Sequence, residues 1–130
     1  MNIYIAAPWV HKADALVAQE QFEAAGFTVV SHWIKYHADA ETSAQELRVQ
    51  ALEDYLDIIA RAKVFVILNL ALSEGKAFEF GAAYHADIPC VVVGTRDRNI
   101  FYHLPGVAQV ETVADAIAYC RTLPGANDGQ

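Results

Sequence analysis

Two segments constrain this chain more than any other. Val64–Leu70 and Ile88–Gly94 are short and apolar almost throughout. A strand with one face in water alternates polar and apolar residues. These do not, so each is read as a strand buried on both faces, as in a parallel sheet covered by helices. Asn2–Ala7, stopped by Pro8, has the same character, and Phe27–Trp33 is β-branched and aromatic, a fourth strand. Val107–Val110 is a weaker fifth. Between them lie helical segments. One runs from about Val10 to Ala25, with Ala13, Leu16, Val17 and Ala24 at helical spacing and Gly26 as its terminator. A second opens on the capping box Ser43-Ala44-Gln45-Glu46 and runs to about Ala62, with Leu47, Ala51, Tyr55, Ile58 and Ala62 on one stripe. A third spans Gly75–Ala86, and a fourth begins at Thr112, capped through Asp115, and ends near Leu123.

The order β-α-β-α-β-α-β-loop-β-α predicts one α/β domain over residues 1–123. It is doubly wound, Rossmann-like or flavodoxin-like, with a parallel five-stranded sheet and helices on both faces. Residues 124–130 form a tail expected to fray. Ligands of such sheets bind beyond the carboxyl ends of the strands, near the reversal of strand order. Those ends are Ala7-Pro8-Trp9, His32-Trp33, Asn69–Gly75 and Gly94–His103.

Several function classes are disfavoured at once. With 130 residues and a net charge of −7, the chain is a poor binder of nucleic-acid polymers. No apolar run approaches the ~20 residues of a bilayer span, and the amino terminus lacks the basic start of a signal peptide. Cys90 and Cys120 are lone cysteines without a CxxC motif, which suits a reducing cytoplasm. The five histidines carry no zinc-like spacing with Cys or Asp, so no metal is expected. There is no GxSxG elbow, no GxGxxG and no Walker A motif, and no cofactor is implied.

The most informative stretch is Ser73-Glu74-Gly75-Lys76-Ala77-Phe78-Glu79-Phe80-Gly81-Ala82-Ala83, which follows the central strand and opens a helix. Glu79 falls about one turn in, among small and apolar neighbours, between two glycines that permit close approach. Its structural role would be that of an acidic residue favoured near a helix N-terminus. Together with Ile3-Tyr4-Ile5-Ala6-Ala7-Pro8-Trp9 and the helix and strand of Asp54–Leu70, this stretch resembles the nucleoside 2-deoxyribosyltransferase family, including its 2′-deoxynucleoside 5′-monophosphate N-glycosidase branch. The resemblance covers most of residues 1–94 in order and spacing.

The resemblance implies a retaining displacement at the anomeric carbon of deoxyribose, with Glu79 as nucleophile and a covalent glycosyl ester. Tyr4 would orient the Glu79 carboxylate. An aspartate on the second helix would protonate the leaving base. Counted back from the central strand, that aspartate falls on Tyr55; counted forward from the capping box, it falls on Asp54. Asp54 is preferred, and Asp57, one turn on, is the second candidate. Where deoxyribosyltransferases often carry an aspartate six residues before the nucleophile, this chain has Ser73, as the monophosphate hydrolases do. Lys63 stands where the family often has an aspartate before the central strand. Both departures favour a phosphorylated substrate. Ser73 and the amides of Gly75 and Lys76 would form an anion site at a helix start, and the Lys76 ammonium would add charge to the phosphate or pair with Glu79.

Ala7, Pro8, Trp9 and Trp33 border the same mouth, the indoles as stacking faces for a base or as core residues. The loop with Arg96 and Arg98 is a lid or subunit contact that brings guanidinium to a phosphate, or a solvated connection with Phe101 in the core. Family enzymes complete their sites across a dimer, so a homodimer or higher homo-oligomer is expected. The expected ligand is a small nucleotide or nucleoside. The rival reading is a catalytically silent nucleotide-binding protein of the same fold.

Overall fold

The computed structural model describes residues 1–36, 38–95 and 98–126. Its elements follow the expected order. Strand β1 (Asn2–Ala6) is followed by a 3₁₀ turn (Trp9–His11), helix α1 (Lys12–Ala24), strand β2 (Thr28–Val29) and a second 3₁₀ turn (His32–Lys35). Helix α2 (Ala44–Leu56) continues into a single π-turn (Asp57–Arg61) and then β3 (Val64–Leu68). Helix α3 (Glu74–His85), β4 (Cys90–Val93), a 3₁₀ turn (Ile100–His103), β5 (Val107–Val110) and α4 (Val113–Cys120) complete the chain.

All five strands are parallel, in the order β2-β1-β3-β4-β5. The chain moves outward from β1 to β2, then crosses back to β3 and continues the other way. Right-handed crossovers in opposite directions place helices on opposite faces. Accordingly α1 packs with α4, while α3 packs against the π-turn that follows α2. The reversal lies between β1 and β3, whose register pairs Tyr4 with Phe65. These two rings stack at 5.4 Å and 8°. Every residue of β3 and β4 is buried, which accounts for their unbroken apolar sequences.

Three helix starts are capped by side chains, those at Ser43 and Thr112 as read from the sequence. Ser43 accepts from the Glu46 amide (3.1 Å), Ser73 from the Lys76 amide (3.2 Å) and Thr112 from the Asp115 amide (3.1 Å). Gly26 ends α1 with φ +95°, a conformation that favours glycine. At the end of β4, Gly94 has φ +97°, and a Cβ there would come within 3.4 Å of the Asn69 carbonyl. Glycine thus lets the ends of β3 and β4 approach, and Asn69 Nδ2 donates to the Gly94 carbonyl at 3.2 Å.

Four expectations are corrected. The second strand is only Thr28–Val29, because Ser31 Oγ accepts the Ile5 amide (3.2 Å) where a backbone carbonyl would have continued the ladder. The chain then turns into the His32–Lys35 helix. The buried stripe of α1 is Ala15, Ala18 and Phe22, whereas Leu16 and Val17 face solvent. Helix α2 buries none of its residues: Leu47 and Tyr55 of the expected stripe are exposed, and only Ile58, in the π-turn, and Ala62 beyond it reach the core. In the β4–β5 connection Tyr102, not Phe101, is buried, with its ring 5.5 Å from that of Phe80. Both cysteines are buried and unpaired. Among the described residues no helix is long and apolar enough to cross a membrane.

Candidate active site

Tyr4 sits in the middle of β1 with no exposed surface, and its hydroxyl donates to Glu79 Oε2 on α3. The strand supplies a rigid platform at the topological switch point, and the second turn of α3 lays Glu79 across it. Burial pushes the Glu79 carboxyl up to about 7; the Tyr4 hydroxyl opposes this and nearby Asp54 adds to it. Burial and the Glu79 charge raise the Tyr4 phenol, so it stays protonated and acts as a donor.

Asp54, in the last turn of α2, faces the same place. Glu79 and Asp54 line one cavity of about 210 Å³ with Ala51, Tyr55, Ile58, Gly75 and Phe78. This is smaller than the roughly 300–1,000 Å³ of a pocket that encloses a whole ligand. It suits the reacting part of a ligand whose remainder lies outside. A roomier cavity of about 330 Å³, lined by Tyr84, Pro89, Cys90, Val107 and Tyr119, lies at the amino ends of β4 and β5. That is the wrong end of a parallel sheet for a site, and Glu79 is not part of it.

Burial, followed by the charges of Asp57 and Glu53, pushes the Asp54 carboxyl up to about 7, with His32 opposing. Asp54 Oδ1 is buried without a hydrogen-bond partner among the described residues. The cavity therefore holds two carboxyl groups with different surroundings. Glu79 receives a hydrogen bond that favours its ionised form. Asp54 receives none at Oδ1 and faces two further carboxylates. These surroundings favour the ionised form at Glu79 and the protonated form at Asp54.

Asp57 is not in the cavity. Its carboxylate is fully buried and accepts from the His32 amide (3.1 Å), His32 Nδ1 (2.8 Å) and Arg61 Nη1. Glu53 Oε1 lies 3.3 Å from the same His32 nitrogen. The potential ligand atoms of His32, Glu53 and Asp57 fall within 4.8 Å of one another. Both Asp57 oxygens are nevertheless engaged, one of them by a guanidinium, which makes this an ion-pair network rather than a cation cradle.

The structure divides the remaining candidates. Ala7 and Pro8 are buried at the end of β1. Trp33 is a core residue, its indole N–H donating to the Ile5 carbonyl at 2.7 Å. Trp9 is the open indole of the pair, 5.9 Å from Trp33, with Lys12 Nζ 4.1 Å from its ring centroid. Ser73 is half-buried as the cap of α3, and Gly75 is exposed at the cavity wall. The Lys76 amide donates to Ser73, and its side chain is buried with the ammonium donating to the Ala71 carbonyl at 2.7 Å. Arg98 is exposed, and Arg96 lies outside the described residues.

Tyr55 and Phe78, with ring centroids 6.4 Å apart, were missed as cavity walls, and His32 and Arg61 as partners of Asp57. A signal for the latter existed. A π-turn carries about one residue more than an α-turn, so the Asp57–Arg61 turn accounts for the one-residue disagreement between counting forward from Ser43 and back from β3. Asp54 and Tyr55 both line the cavity, and of the two aspartates only Asp54 does so.

No protein-family model and no curated protein matches the sequence. Solved structures do match. A 2-deoxyribosyltransferase from the psychrotolerant bacterium Bacillus psychrosaccharolyticus superposes with a TM-score of 0.68 at 20% identity, over 92% of each chain. A conserved protein from Enterococcus faecalis V583 superposes with a TM-score of 0.64 at 15% identity, over 91% of this chain and 95% of that one. The domain thus has the fold of a 2-deoxyribosyltransferase, with Tyr4, Glu79 and Asp54 gathered at its switch point.

Proposed function

We propose that this protein cleaves the N-glycosidic bond of a 2′-deoxynucleoside 5′-monophosphate or a 2′-deoxynucleoside. The observation that carries the reading is the Tyr4–Glu79 hydrogen bond, with Glu79 and Asp54 lining one cavity. Glu79 attacks the anomeric carbon. The bond to the base breaks with its electron pair going to the base, and Asp54 supplies the proton. Water, or a second base, then displaces Glu79 from the sugar ester as Asp54 takes the proton back, so the configuration is retained. Incubation with a mixed pool of nucleosides and nucleotides, followed by separation of the products, is the test. Release of free base supports the reading; binding without release would leave only a nucleotide-binding protein.

The phosphate would sit at the start of α3. Ser73 accepts the Lys76 amide through its lone pair, which leaves its own O–H to donate outward beside the exposed Gly75. Arg98 is an exposed cation of the neighbouring loop among the described residues. Ser73→Asp is expected to keep the fold, because aspartate caps a helix as well as serine does. It should lower kcat/KM for the monophosphate about five-fold or more, from ~1 kcal/mol of charge repulsion, and spare the nucleoside. A wild-type preference for the nucleoside would refute the phosphate site.

A second copy of the chain would cover α2. Leu47, Val49, Leu52 and Tyr55 are exposed on this helix, and Phe78, 65% exposed, stands beside Tyr55 at the cavity mouth. Val49, Leu52 and Tyr55, spaced three residues apart, share one side of the helix, and exposed apolar surface of this kind marks an interaction site. Sedimentation is expected to show a dimer or larger assembly, reduced to monomer by Leu52→Glu. A monomeric wild type would exclude the assembly.

A further inference from the structure

We propose that Asp57 and His32 are positioning residues: together they hold the π-turn in the register that keeps Asp54 at the cavity. The proposal rests on the reading of Asp54 as the proton donor to the leaving base. Helix α2 does not end where its α-helical hydrogen bonds end. Its next five residues form the π-turn, closed by the Ala62 amide on the Asp57 carbonyl at 2.9 Å. A π-turn is rare, and an α-turn over the same stretch is the ordinary alternative. Something must therefore hold the wider turn open.

Asp57 is placed to do so. It is the first residue of the π-turn, and its carboxylate, with no exposed surface, binds Arg61, the last residue of that turn. The same carboxylate receives both the backbone N–H and Nδ1 of His32, which belongs to the segment after β2. One buried anion thus ties the two ends of the π-turn to each other and to the neighbouring loop. Asp54 lies three residues before it. With Oδ1 unpartnered among the described residues, Asp54 depends on the backbone for its place.

The consequence of losing the tie follows from helix geometry. If the π-turn closed to an α-turn, α2 would shift by one residue relative to β3. One residue corresponds to a rotation of about 100°. Asp54 would leave the cavity wall, and its proton would no longer reach the base.

The test compares two substrates: a purine 2′-deoxynucleotide, whose base must be protonated to leave, and its N7-methylated counterpart, whose cationic base leaves without a proton. His32 is 43% exposed, so its variants should fold. His32→Ala is expected to lower kcat on the ordinary substrate about ten-fold, the scale of loss when a catalytic group is misplaced but present. KM and turnover of the methylated substrate should be nearly unchanged. His32→Asn, whose amide can donate to Asp57 in place of Nδ1, should restore most of the loss. Asp57→Asn should show the same substrate selectivity with a larger loss; if it does not fold, the His32 pair decides. Wild-type kcat in His32→Ala, or equal losses on both substrates, would overturn the proposal. A wild-type protein that releases no base from either substrate would instead bring down the functional reading beneath it.

Discussion

Replacing Glu79 by Gln or Ala is expected to remove base release by at least about 10³-fold, because an amide or methyl group cannot form the sugar ester. The loss should appear in kcat, since the carboxylate's main contribution is made as the bond to the anomeric carbon forms. Glutamine keeps the shape of the side chain and an oxygen that can accept from Tyr4, so the cavity should persist. The fold should also survive. Burial pushes the Glu79 carboxyl up to about 7 from its ordinary 4.5. A raised acid weakens the folded state as pH climbs through that interval, because the unfolded chain gives up its proton first. Removing it should therefore leave the melting temperature at pH 8 unchanged or higher. Retention of more than roughly a tenth of wild-type kcat in Glu79→Ala would exclude Glu79 as the nucleophile.

The parts of this site that could be read from sequence are those fixed by local chemistry. An unbroken apolar run such as Val64–Leu68 has one solution in a small α/β domain, and it becomes the central strand. Ser73 marks the start of α3 through a hydrogen bond three residues long, and Glu79 follows at a helical distance from it. What could not be read depended on partners far along the chain. Ser31 ends β2 by bonding to Ile5, and Trp33 becomes a core residue through the Ile5 carbonyl. Neither contact leaves a local mark. The exposure of α2 is of the same kind: its apolar residues look like a buried stripe, yet Leu47 is exposed while Ala51 and Tyr55 line the cavity. The disagreement between Asp54 and Tyr55 turned on the phase of one helix relative to β3, and a π-turn changes that phase without any change in residue type.

Asp54 gives the second large effect. Asp54→Asn is expected to reduce turnover of ordinary substrates by about 10²–10⁴-fold, the usual range for a general acid. The N7-methylated substrate, which needs no proton, should lose far less. Asp54 works while protonated, and burial together with Asp57 and Glu53 pushes its carboxyl up to about 7. In the wild type, the rate on ordinary substrates should therefore fall as pH rises through about 7, and Asp54→Asn should lose that limb. Glu79 imposes the opposite limb, because it must be ionised and its carboxyl is also pushed up to about 7. The wild-type optimum should consequently be a narrow maximum near neutrality. The substitution should move stability the other way from activity. Between the ordinary value of 3.8 and the raised one, the folded state binds the Asp54 proton more tightly than the unfolded chain does. The wild type accordingly loses stability as pH rises across that interval. Asp54→Asn escapes this loss, so its melting temperature should exceed that of the wild type at pH 8 and converge on it near pH 4. An Asp54→Asn protein that turns over both substrates as the wild type does would remove Asp54 from the mechanism. An equal loss on both substrates would show that Asp54 shapes the cavity rather than delivering a proton.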